Sequence, residues 1–233
     1  MIKVEHVEVF NFEGAIRGLR NPLNSWDKSD SEWRVYTPEY IHLSEAEYII
    51  GENDLNLMKR LYKAGSEHRK YLRQIIVSMD ITAPLYWWKE FDTYKVGTVA
   101  NSCSTMHKIH AKEFEMDDFS HEHLTDETTN AYYETENEHN ICIERVSAYS
   151  WMIETVAVLN AYRELYLETK DKQYWWQLIQ LLPSSYNQRR TITMNYENVI
   201  TMIKQRSGHK LTEWNNFVEI LKELPYIKEI TEE

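Results

Sequence analysis

LLPSSYNQRRTITMNYENVITMIKQRSGHKLTEW, residues 181–214, carries the reading of the fold. Pro183 and the Ser184-Ser185 pair break the helical pattern that precedes them. A β-branched segment, residues 191–193, then leads into Asn195, whose side chain suits the cap of a helix with Val199, Met202 and Ile203 on its apolar face. That helix should end near Arg206, with Gly208 as its stop. Arg189, Arg190, Asn195 and Arg206 thus line up on one helix and its approach. A guanidinium is a planar fork of donors matched to phosphate or carboxylate, so two arginines bracketing a capped helix suit a phosphate pocket. By spacing alone, a solvated face accounts for them at least as well.

Around this stretch, 233 residues with no linker-like composition suit one well-filled domain spanning residues 1–233. A net charge of -11 disfavours coating nucleic acid or an anionic membrane, which leaves small molecules or protein surfaces as partners. Two cysteines, Cys103 and Cys142, with no apolar leader-like run and no span of about 18 apolar residues, read as a reduced, cytoplasmic protein. Eight tryptophans and sixteen tyrosines supply large areas for cores and subunit contacts.

In chain order, residues 2–10 alternate as a strand and residues 12–19 have helical spacing ended by Asn21-Pro22. Asp54 reads as the cap of a helix through Leu55, Leu57, Met58 and Leu61, stopped by Gly65, with Glu67-His68 just beyond. Residues 75–82 read as a buried strand. His107, His110, His121 and His123 lack a zinc-type pattern and read as structural or surface histidines, with no metal expected. Residues 136–169 read as one long helix, residues 171–182 as a shorter one, and residues 211–224 as a last one. Cys103, with His107 four residues on, could serve as a nucleophile, although a lone cysteine is most often a small buried hydrophobe.

Leu182-Pro183, Arg189, Asn195 and Arg206, at these offsets and without a gap, resemble the C-terminal signature of the flavin-dependent thymidylate synthases, the ThyX family. Two further pieces appear in the family's order. Gly65 with Glu67-His68 resembles a shortened form of its Gly-His and Glu-His segment, although the first histidine of that segment has no match. The run from Ala83-Pro84 to Phe91 resembles the approach to its signature helix. The family then has Arg-His-Arg, a serine, Asn-Glu, a second serine and Arg-Tyr. This chain has Thr93-Tyr94-Lys95 and, after one inserted residue, Asn101-Ser102-Cys103-Ser104-Thr105-Met106-His107. Lys95 keeps one positive charge, Asn101 and Ser104 keep their places, and Ser102 and Met106 replace the glutamate and last arginine. Each guanidinium lost removes charge-assisted hydrogen bonds worth on the order of 1.5–3 kcal/mol.

The resemblance implies an α+β fold with a central, mostly antiparallel sheet, long flanking helices and a helix-rich C-terminal half. It implies methylation of dUMP, or a related pyrimidine deoxynucleotide, with methylenetetrahydrofolate as carbon donor and FAD passing hydride from NADPH, in sites between subunits of a homotetramer. Ser104, Arg189 and Arg206 would hold the nucleotide, and His68, Lys95, Asn101 and Asn195 would belong to the flavin side. No residue is singled out for a catalytic step. The altered triplet, with both arginines kept, leaves open a nucleotide-binding protein of the same fold that has lost FAD chemistry.

Overall fold

The computed structural model describes residues 2–36, 45–137 and 140–232. β1 (Lys3–Phe10) and α1 (Phe12–Arg20) open the chain. β2 (Glu32–Tyr36) and β3 (Glu45–Ile49) pair antiparallel, with Trp33 opposite Tyr48. α2 (Glu52–Lys63), β4 (Ile76–Pro84), α3 (Leu85–Phe91) and β5 (Val99–Ser102) follow. A second hairpin, β6 (Thr128–Asn137) and β7 (Asn140–Ser147), leads into α4 (Ala148–Thr169) and α5 (Lys172–Leu181). β8 (Asn187–Asn195), α6 (Tyr196–Arg206), α7 (Thr212–Lys222) and α8 (Ile227–Thr231) complete it. Four strands form one sheet in the order β1-β4-β8-β5, and the chain is α+β with an antiparallel sheet, as its sequence implies. Among the described residues no helix is long and apolar enough to cross a membrane.

Expectations for two segments are corrected. Residues 136–137 and 140–147 are not the start of α4 but the end of β6 and all of β7, which pair antiparallel with Glu134 opposite Ile143; residues 138–139 of the expected helix lie outside the described residues. α4 begins only at Ala148, where Ser147 and Ser150 form a reciprocal cap. The short run at residues 191–193 is likewise part of a longer strand, β8.

The chain divides into two compact units. In the unit made of Val4–Ile81, Asp92–Asn101 and Thr191–Glu233, β4 shows the period of two expected for a strand with one buried face: Val77, Met79 and Ile81 are buried between half-buried neighbours. Ile192 and Met194 of β8 do the same. α6 buries Val199, Ile200 and Met202, and α7 buries Trp214, Phe217 and Leu221. Asp54 does not cap α2, whose N-cap is Gly51. Its carboxylate is wholly buried and paired with Arg20, because a charge removed from water needs a partner more than a helix end needs that particular cap. Oδ1 of Asp54 accepts from Arg20 Nε at 2.7 Å, and Oδ2 accepts from the hydroxyls of Ser29 and Ser31 at 2.6 Å each.

In the unit made of Met1–Lys3, Thr82–Phe91 and Ser102–Arg190, α4 and α5 pack over Ile109, Phe114, Phe119, Leu159 and Leu178. Asn160 of α4 clips the preceding loop to the helix: its side chain accepts from Phe114 N and donates to Phe114 O, both at 2.9 Å. α4 is apolar on several faces, yet buries only Leu159, and leaves Trp151, Ile153, Val158 and Leu165 exposed.

Candidate functional site

The residues expected to bind ligand fall in both units, and each group is built locally. In the first unit Asn195 closes α6 by a reciprocal cap: its side chain accepts from Asn198 N at 3.0 Å, while Asn198 Oδ1 accepts from Asn195 N at 3.4 Å. Asn198 also donates from Nδ2 to Val96 O at 2.7 Å, which docks the turn carrying Tyr94, Lys95 and Gly97 on this helix end. Gly97 has φ +80°, and a Cβ there would stand 2.7 Å from both Asn195 Nδ2 and Asn198 Oδ1. The turn can approach this closely only through a glycine.

At the other end of α6, Arg206 is held in an aromatic box. Its guanidinium carbon lies 4.6 Å from the centre of the Trp214 ring and 5.5 Å from that of Tyr94. Its Nε donates to Tyr94 Oη at 2.9 Å, and that hydroxyl donates to Gln205 Oε1 at 3.0 Å. Stacking and hydrogen bonding together fix the plane of the fork, which a bidentate contact to phosphate requires. Lys95 and Asn101 are exposed. His68 is exposed in the turn after Gly65, whose φ of +106° confirms the expected helix stop.

Glu197, in the first turn of α6, pairs with Arg69 at 3.2 Å and with Arg73. Partial burial would raise its carboxyl, but hydrogen bonds from Arg73 and Arg69, with their charges, outweigh this and hold it below the ordinary range. The turn containing His68 is thereby tied to the N-terminus of α6.

In the second unit Ser104 and Arg189 come together. Cys103 N donates to Arg189 O at 2.9 Å, and Gln188 Nε2 donates to Cys103 O at 2.8 Å, so the 103–104 turn runs beside this end of β8. Ser104 Oγ accepts from His107 N at 2.9 Å, so His107 meets the turn through its backbone. Alternation along β8 buries Gln188 and exposes Arg189. Arg190 is engaged locally: its guanidinium lies 4.2 Å over the Trp88 ring and its Nε donates to Gln188 Oε1 at 2.9 Å.

The sequence reading missed Tyr94 as an anchor of Arg206, Trp214 as its platform, and Glu197. Only Glu197, an acid in the first turn of a capped helix, carried a local signal; the other two act across more than 100 and eight residues respectively.

No family model matches the sequence, and no curated protein matches it. Solved structures do. Thymidylate synthase X from Helicobacter pylori with FAD and dUMP superposes with a TM-score of 0.60 at 17% identity, over 98% of this chain and 94% of that one. A second structure of that protein complexed with FAD and dUMP gives 0.61 at 17% identity, over 98% and 95%. The UMP/dUMP methylase PolB from Streptomyces cacaoi bound with 5-Br dUMP gives 0.58 at 13% identity, over 95% and 88%. At such identities it is the architecture that is shared, and over nearly the whole length this chain has the fold of the flavin-dependent thymidylate synthases.

Proposed function

We propose that the chain is an enzyme of the flavin-dependent thymidylate synthase type, which methylates dUMP or a related pyrimidine deoxynucleotide with methylenetetrahydrofolate, FAD and NADPH. Ser104, Arg189 and Arg206 hold the nucleotide, and His68, Lys95, Asn101 and Asn195 serve the flavin side. The observation that carries this reading is the fixed fork of Arg206, packed against the rings of Tyr94 and Trp214 at the end of the helix that Asn195 caps, in a fold shared with a synthase solved with FAD and dUMP. The donors present suit FAD: Lys95 offers an exposed cation and Asn101 an exposed amide to a diphosphate. When bound, FAD supplies hydride transfer from NADPH. The chain's own residues orient the nucleotide, and the Arg206 stack keeps the phosphate contact dry on the side of Trp214. The same reading takes residues 1–233 as one domain, working as a homotetramer in the cytoplasm without nucleic acid or membrane. The exposed apolar residues of α4 support the tetramer, because they need cover.

One observation favours a second reading, a nucleotide-binding protein that has lost FAD chemistry. Tyr94, in the middle of the altered triplet, commits its hydroxyl to Arg206 and Gln205. A visible absorbance titration with FAD, with and without dUMP, followed by gel filtration separates the two. Flavin that travels with the protein and changes spectrum when dUMP is added supports the synthase. Binding of dUMP without flavin retention supports the second reading, and binding of neither overturns both.

A further inference from the structure

Where α4 ends and α5 begins, an open cavity of about 480 Å3 is lined by His107, His110, Tyr166, Lys170, Lys172 and Trp175, together with Met106. In a chain of net charge -11, its lining holds two lysines, two histidines and no carboxylate. The acid between the lysines, Asp171, is engaged elsewhere, because its oxygens cap α5 by accepting from Gln173 N and Gln173 Nε2, each at 2.9 Å. The walls are pinned. Trp175 Nε1 donates to Met106 O at 3.0 Å, and Arg163 Nε donates to His110 O at 3.1 Å.

The cations are also placed. Lys170 Nζ lies 6.0 Å from the Tyr166 ring centre, and Lys172 Nζ lies 5.9 Å from that of Trp175. Lys170 itself sits at φ +58° and ends α4 in the left-handed conformation, a position at which glycine is the unstrained choice. Strain kept at a charged residue on a cavity wall is a pointer to a role for the charge. His110 packs edge-on to Tyr166 at 4.9 Å, and its buried Nδ1 has no hydrogen-bond partner among the described residues. Partial burial, then the charges of Lys170, Lys108 and Arg163, lower the His110 pKa, as a region of positive potential demands.

We propose that this cleft binds a small molecule carrying a phosphate beside a planar ring, with Lys170, Lys172 and His107 around the phosphate and the ring against Trp175. The size suits a mononucleotide. The cleft adjoins Ser104, whose Oγ accepts from His107 N, but its lining includes none of the residues assigned to dUMP and FAD above, and it does not depend on that assignment.

Titration calorimetry of the full chain with pyrophosphate, AMP and adenosine tests it. AMP and pyrophosphate should bind and adenosine should not; adenosine binding as tightly as AMP, or no binding of either phosphate compound at millimolar concentration, overturns the assignment. In K170Q/K172Q affinity for both phosphate compounds should fall at least about tenfold, the scale of one lost charge-assisted hydrogen bond. Lys170→Gly separates binding from folding: it relieves the left-handed strain, so the melting temperature should hold or rise while AMP affinity falls. Unchanged AMP affinity in Lys170→Gly overturns the proposal. Arg206→Ala should leave AMP and pyrophosphate affinity as in the unaltered chain, and their loss in that variant would move them to the other site and refute a separate cleft.

Discussion

Replacing Asp54 with alanine should be among the most damaging single changes to this chain. The side chains of Asp54 and Arg20 are 0% and 6% exposed, so the pair is sealed from water. Arg20 Nε donates to Asp54 Oδ1 at 2.7 Å, and Nη2 lies at the same distance, close enough for an ion pair. Backbone amides of Asp30 and Ser31 reach Oδ2 at 3.2 Å, beside the two serine hydroxyls. Alanine removes all these acceptors and strands a guanidinium in the interior, which costs about 3–5 kcal/mol. At about 2–4 °C per kcal/mol for a chain of this size, the melting temperature should drop by about 6–20 °C. Burial alone would raise the Asp54 carboxyl, but Ser29, Ser31 and Arg20 together hold it below its ordinary value of 3.8. The folded value is the lower one, so this stabilisation is fully present above pH 3.8 and is lost as pH falls further, through the folded value. Melts by circular dichroism, with hydrogen exchange over α2, measure both effects. The double change Arg20→Met with Asp54→Leu should cost less than Asp54→Ala, since it leaves no buried charge unpaired. An Asp54→Ala melt within about 2 °C of the unaltered chain, a shift of under about 1 kcal/mol, would refute the reasoning.

Gly97→Ala combines a left-handed φ with a 2.7 Å clash, so it should destabilise the turn by more than about 1–2 kcal/mol and weaken dUMP binding; Gly65→Ala, whose Cβ would meet nothing within 4 Å, should cost only about 1 kcal/mol. Urea titrations of the pair check the contrast. Arg206→Lys keeps the charge but loses the fork and the stack, so dUMP affinity by calorimetry should fall by about tenfold or more. Glu197→Gln should weaken the tie to Arg69 and Arg73 by about 1 kcal/mol or less, as befits partly exposed ion pairs, and the loss should show above pH 4.5 and vanish well below it.

What the sequence disclosed was chemistry that acts within a few residues. The Asn195 cap and the Gly65 stop are local devices, and both are where the pattern puts them. β4 was legible because its apolar residues alternate. Asp54 misled because it looks like a cap, while the partner that claims it lies 34 residues away. Residues 136–147 misled because short apolar runs do not separate strand from helix, and only the pairing with β6 decides. β2 and β3 were passed over for the same reason, since Trp33 and Tyr48 meet only once the hairpin closes. Ser104, Arg189, Asn195 and Arg206 could be singled out as candidates from their offsets. The Tyr94 and Trp214 box could not, because it exists only in three dimensions.

That box changes the meaning of the altered triplet. Thr93-Tyr94-Lys95 looks like the loss of two basic groups, yet Tyr94 gives Arg206 a ring to stack on and a hydroxyl to point at. On the proposed reading Tyr94 positions Arg206 for the nucleotide and does not serve the flavin side. Tyr94→Phe keeps the ring and removes the acceptor of Arg206 Nε, so dUMP affinity should fall by about two- to tenfold, the value of one net hydrogen bond. Tyr94→Ala also removes the stack, worth about 0.5–2 kcal/mol more, and should weaken dUMP further in proportion. FAD retention in gel filtration should be the same for Tyr94→Phe as for the unaltered chain. If Tyr94→Phe instead released FAD and left dUMP affinity untouched, Tyr94 would belong to the flavin side and the box around Arg206 would be packing alone.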